Sequence, residues 1–118
     1  MPKKEYESGS YGAYLVALIK AHNFSQAEFA KRIDVSRTYL FDLFNGRVKP
    51  PAPKMQEKIV SALKLTGKEK DEFFNVTAAG RNEIPKDVFD YLYNNTDEIA
   101  IIRERMRGEL WQRKLAKQ

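Results

Sequence analysis

The sequence predicts an all-α protein, with five short helices in one domain followed by a C-terminal helical extension. Three observations carry that prediction. Apolar residues recur three and four apart in successive short segments, the repeat of helices with one buried face. Serine, threonine, asparagine, glycine and proline stand between the segments, where helices start and stop. The connections are only a few residues long, which suits a compact helical domain over residues 10–80.

Residues 1–9 are polar and are expected to form a flexible N-terminus. Tyr11, Tyr14, Leu15, Leu18 and His22 then share one helical face, with Ile19 beside them, and this helix ends near Asn23. His22 is a helix-end residue, favourable at the C-terminal dipole when charged. Ser25-Gln26-Ala27-Glu28 has the form of a capping box, with hydroxyl and carboxylate each taking the other residue's amide. A short helix turns Phe29, Ala30 and Ile33 inward. Asp34-Val35-Ser36 makes a tight connection, and Ser36 caps a helix over 37–45 that buries Leu40, Leu43 and Phe44. Of Tyr39 and Phe41, one should be partly exposed and the other packed on the core. Gly46 stops the helix by taking the left-handed conformation.

Pro50, Pro51 and Pro53 forbid continuation, and Pro53 suits the first turn of a new helix. That helix turns Met55, Ile59, Ala62 and Leu63 inward, with Leu65 after its exit. Thr66-Gly67-Lys68-Glu69 is a second capping-box candidate, ahead of a helix with Phe73, Phe74 and Val76 that ends around Ala79-Gly80. Residues 81–83 read as a joint to the extension, residues 84–118. There, Pro85 opens a helix with Val88, Phe89 and Leu92 that ends at Asn94-Asn95. Thr96 or Asn95 caps the last segment.

Composition narrows the chemistry. The chain has 118 residues, 42% of them hydrophobic, with no cysteine and one histidine. Disulfides, thiolate metal sites and cysteine nucleophiles are thereby excluded, and zinc sites and triads lose their usual parts. The carboxylates are dispersed and no glycine-rich phosphate loop occurs, so neither an enzyme nor a cofactor is expected. No stretch approaches the roughly 20 apolar residues that span a bilayer. Residues 1–5 carry charge with no apolar run behind them, so no secretory signal and a cytoplasmic location are expected. The formal charge of +5 suits nucleic acid or an anionic surface, without choosing between them.

The pair of short helices over 26–45 is more specific. Two helices joined by a tight turn are the mechanical requirement for helix-turn-helix readout: the first braces on the DNA backbone, the second lies in the major groove. Ala30 is the small residue the helix crossing needs. The run Gln26-Ala27-Glu28-Phe29-Ala30, Val35-Ser36-Arg37-Thr38-Tyr39-Leu40, Leu43-Phe44-Asn45-Gly46-Arg47 and Pro50 resembles the helix-turn-helix of phage repressors, the lambda-repressor-like or XRE-type group of transcriptional regulators. The likeness extends over about 11–80.

The resemblance implies a double-stranded DNA operator as partner, and most simply a repressor. It gives Arg37 and Thr38 the main base-reading positions, with Asp42 one turn further along the same face. It makes Gln26 a phosphate-bonding brace, and Ser36 and Asn45 backbone contacts at the two ends of the reading helix. Arg47 and Lys49 fall in a basic loop that lies on phosphates. The chemistry agrees. An arginine fork matches guanine O6 and N7, and threonine offers a hydroxyl or a methyl. Gln26, Ser36 and Asn45 position without reading, while loop cations add salt-dependent affinity.

Three positions depart from the family pattern. Asp34 stands where glycine is common in the turn, and aspartate tolerates the left-handed conformation. Ile19 and Phe44 replace both members of an internal arginine–glutamate pair, which can be neutral or stabilising. Asp42 puts a carboxylate near DNA, either to accept from cytosine N4 or to pair with Arg37 or another neighbour.

In the extension, Ile99, Ile102, Met106 and Leu110 form an apolar stripe, and Trp111 points to a contact. The stripe can pack back on the domain, pair with a second copy as a homodimer, or bind a different protein. The end is basic: Arg103, Arg105, Arg107, Arg113, Lys114 and Lys117 stand against Glu104 and Glu109. The alternative function is a protein-interaction module or antitoxin-like adaptor that keeps the scaffold but applies it to protein.

Overall fold

The computed structural model describes residues 10–108 and is helical throughout, with no strand among those residues. The chain divides into two compact units, Met1–Pro85 and Lys86–Gln118. The first contains α1 (Tyr11–Ala21), α2 (Gln26–Arg32), α3 (Arg37–Phe44), α4 (Pro53–Leu63) and α5 (Gly67–Arg81). The second contains α6 (Lys86–Asn94) and α7 (Asp97–Met106).

Every helix of the first unit leaves by one device. A residue in the left-handed region follows the last turn: Asn23, Asp34, Gly46, Lys64 and Asn82, with φ between 54° and 72°. The next amide then bonds back to a carbonyl near the helix end, as Phe24 does to Ile19, Val35 to Ala30 and Arg47 to Asp42. This satisfies carbonyls that the helix leaves over. Asp34 takes its left-handed place in the turn with φ 59°, as its side chain allows. Lys64 has no such local aid, and the sequence carries no signal for it.

The helix starts are less uniform. Ser10, Ser25 and Ser36 each accept an amide three residues on, and Ser25 with Glu28 completes the capping box. Thr66 makes no side-chain cap, so the second capping box is not formed. Neither does Thr96 cap α7, and the Asn95 amide group instead donates back to the Tyr91 carbonyl. Serine wins where the backbone is already extended ahead of the first turn. Thr96 sits in helical backbone, from which its hydroxyl cannot face the orphan amides.

The core of the first unit joins Leu15, Leu18 and Ile19 of α1 to Phe29, Ala30, Leu40, Leu43 and Phe44 of the two motif helices. Ile59, Val60 and Leu63 of α4, Leu65, and Phe73 and Phe74 of α5 complete it. Phe73 meets Phe74 edge-on with centroids 5.7 Å apart. Ile19 and Phe44 are both buried in this core. Val76 is only half-buried, and Thr77 takes the inward place, its hydroxyl donating to the Phe73 carbonyl at 2.7 Å. With that proton committed, the Tyr11 hydroxyl donates to Thr77 Oγ1 at 3.0 Å. Burial pushes the Tyr11 phenol well above the usual tyrosine range.

Two glycines mark close approaches. Gly80 does not end α5, which runs on to Arg81; a Cβ there would lie 2.6 Å from Pro50 Cγ. Gly12, in the first turn of α1, meets the last residue of α3. A Cβ on Gly12 would stand 2.6 Å from the Phe44 carbonyl carbon and closer still to its oxygen. The N-terminal end of α1 thus abuts the C-terminal end of α3, a favourable meeting of helix dipoles. In the second unit, by contrast, no described side chain of α6 or α7 is buried.

Gly12→Ala tests the α1–α3 crossing. Helix propensity alone favours alanine by up to about 1 kcal/mol. The opposing atoms are backbone and cannot rotate away, so overpacking, about 1–3 kcal/mol or more, should dominate. The variant is expected to unfold at lower denaturant concentration, and an unchanged or higher midpoint would show that α1 and α3 can separate freely.

Candidate nucleic-acid interface

α3 is held on one side and open on the other. Leu40, Leu43 and Phe44 are each 2% exposed and anchor it in the core, and Tyr39 packs half-buried beside them. The outward side carries Arg37, Thr38 and Phe41, all exposed, with Asp42 and Asn45 half-buried. Ser36 starts the helix, its hydroxyl accepting the Tyr39 amide at 3.0 Å. Asn45 ends it, and its side-chain amide donates to the Phe41 carbonyl at 2.6 Å. Both end residues are therefore engaged in shaping α3.

α2 approaches α3 through the tight turn at Asp34, where the Val35 amide bonds the Ala30 carbonyl at 2.9 Å. Ala30 is buried at this crossing, 2% exposed. Gln26 occupies the first position of α2, half-buried, directly after the capping serine. Its place at a helix N-terminus suits an anion, since the first amides and the dipole both face outward there. Behind α2, the Arg32 guanidinium lies over the Phe24 ring at 5.6 Å.

The loop after α3 carries Arg47 and Lys49, both exposed. Three contacts hold it, two of them from residues distant in sequence. Arg81 Nη1 donates to the Pro50 carbonyl at 2.9 Å, while its Nε bonds Glu83 at 3.1 Å. Buried Gln56 donates to the Pro51 carbonyl at 2.8 Å. Pro50 rests against Gly80. Arg81 is 31 residues from Pro50 in sequence, so only the folded chain brings that pair together.

Asp42 pairs with Arg47 at 3.5 Å rather than with Arg37. The arginine is 68% exposed, so water screens most of the attraction. Residues 26–49 carry five cations and three carboxylates, and three of the cations, Arg37, Arg47 and Lys49, stand on α3 and the loop after it. Of Tyr39 and Phe41, the tyrosine packs on the core and the phenyl ring of Phe41 is the exposed one; the contact of Arg81 with the loop carried no signal in the sequence. His22 bonds Glu69 at 2.9 Å, tying the end of α1 to α5.

In the second unit, α7 carries Ile99 half-buried and Ile102 and Met106 exposed. Leu110 and Trp111 lie outside the described residues. α6 adds exposed Val88, Phe89, Tyr91 and Tyr93, with Phe89 and Tyr93 stacked at 6.2 Å. Among the described residues no acidic or histidine cluster fits a metal ion, and no helix is long and apolar enough to cross a membrane.

Residues 15–69, from mid-α1 into α5, match the family model described as helix-turn-helix. No curated protein and no solved structure matches the chain.

If the Asp42–Arg47 pair is only a screened surface contact, Asp42→Asn should shift unfolding free energy by less than about 1 kcal/mol. A larger loss in chemical denaturation would make the pair structural.

Proposed function

We propose that this chain, whose residues 15–69 match a helix-turn-helix family model, is a DNA-binding transcription regulator of the lambda-repressor-like, XRE-type group, a sequence-specific repressor that reads the major groove with α3. The observation that carries this reading is the open side of α3, where Arg37 and Thr38 stand exposed at the N-terminal end of a helix anchored by Leu40, Leu43 and Phe44. That end of a reading helix is the one that meets base edges.

The roles divide by chemistry. Arg37 forks onto guanine O6 and N7, and Thr38 bonds a base edge or covers a thymine methyl. Asp42 accepts from cytosine N4 once Arg47 turns to phosphate. Gln26 braces the helix pair on a phosphate, and Ser36 and Asn45 contact the backbone at the ends of α3. Arg47 and Lys49 release counterions from the DNA. Bound in this way, the protein occludes a promoter without catalysis or cofactor, in the cytoplasm.

Homodimerisation through the extension, residues 84–118, accompanies this role. The support is the exposed apolar side of α7 at Ile102 and Met106, with Ile99 beside them, in a unit that buries none of its described side chains. Leu110 continues the same stripe in the sequence, with Trp111 beside it. A dimer calls for a palindromic operator with half-site centres about 10 bp apart, or a multiple of that.

Selection of bound duplexes from a random pool at near-physiological salt tests the reading. A two-fold symmetric motif is expected; a single asymmetric motif would remove the homodimer, and no enrichment would favour a protein-interaction module instead. On the selected duplex, Arg37→Ala should lose about 1–3 kcal/mol of discrimination at one base pair while folding stays intact. Equal weakening on all sequences would assign Arg37 to phosphate. Lys49→Ala should weaken binding to every duplex and lower the salt slope by about 1. An unchanged slope would take Lys49 off the DNA.

A further inference from the structure

Phe41 stands out on the open side of α3. Of the six phenylalanines in the first unit, Phe29, Phe44, Phe73 and Phe74 are at most 2% exposed and Phe24 is half-buried, whereas Phe41 is 44% exposed. The helix is anchored from its opposite side, so the Phe41 ring is not needed to hold α3 in the core. It lies one turn beyond Arg37, with Thr38 and Asp42 on the same outward side. Its own carbonyl is bonded by the Asn45 amide at 2.6 Å, which fixes the backbone from which the ring projects.

Given the proposed reading of DNA by α3, on which this inference rests, we infer that Phe41 is a further specificity residue, one that recognises the C5 methyl group of thymine. A phenyl ring has no donor or acceptor for the edges of guanine, cytosine or adenine, and nothing to offer a phosphate. The thymine methyl is the apolar group of the major groove, and apolar side chains select it by contact. The four residues from Arg37 to Phe41 advance about 6 Å along the helix, so the thymine lies one to two base pairs from the pair read by Arg37. The reading helix therefore combines a hydrogen-bonding end, Arg37 and Thr38, with an apolar step further along.

Substituting uracil for thymine, one position at a time, in the selected duplex removes a single methyl and nothing else. Wild-type protein should lose about fourfold in affinity at one or two thymines, the value of one buried methyl group. Phe41→Ala should bind the thymine and uracil duplexes equally at those positions, yet keep its discrimination at the pair read by Arg37. Phe41 lies outside the buried core, so thermal unfolding of the variant should stay close to wild type. Uracil tolerated at every position by wild type would overturn the inference and leave DNA reading standing. So would a Phe41→Ala variant that keeps the penalty. Failure of wild type to bind any duplex would overturn the DNA reading and this inference together.

Discussion

The near-contact of Gly12 with the Phe44 carbonyl is the constraint on which the placement of α3 depends. A helix of eight residues has too few turns to hold itself, so tertiary contacts must hold it. α3 is gripped at both ends and along one side: by Ser36 at its start, by the core beneath it, and by α1 across its last turn. Because Gly12 lacks a side chain, the two backbones approach at that point to a distance no other residue allows. The grip leaves the opposite side of α3 open, and this is the side that carries Arg37, Thr38, Phe41 and Asp42.

The core beneath α3 is apolar. Ile19 and Phe44 both lie within it, at 1% and 2% exposure. Polar contacts are instead placed at the margins. Tyr11 and Thr77 link α1 to α5, and Arg81 and Gln56 hold the carbonyls of the proline loop. These margins set the position of Arg47 and Lys49 relative to α3, so the basic loop is a supported surface and not a free strand of cations.

Much of this was legible in the sequence because its causes are local. Ser25 with Glu28, Ser36, Asp34 and Gly46 each act on backbone within a few residues, and each does what its chemistry predicts. The inward faces of α1, α3 and α5 followed from spacing alone, apart from Thr77, whose hydroxyl is satisfied by its own helix and so can be buried. What escaped depends on distant partners. Nothing near Gly12 announces Phe44, and nothing near Arg81 announces Pro50. Thr66 and Thr96 had the right type at the right spacing, yet neither makes the cap, so spacing alone does not establish a cap. Phe41 was ambiguous with Tyr39 until the core chose the tyrosine.

The second unit poses the opposite situation. Its helices expose Val88, Phe89, Ile102 and Met106 and bury none of their described side chains, so helices stand there without a core among the described residues. The central claim concerns α3, and amide chemical shifts of the full chain titrated with its selected duplex test it most directly. Perturbation is expected to concentrate at Gln26 and across residues 36–49, with Phe41 among the most affected. Perturbation confined to α6 and α7, with α3 unmoved, would contradict it.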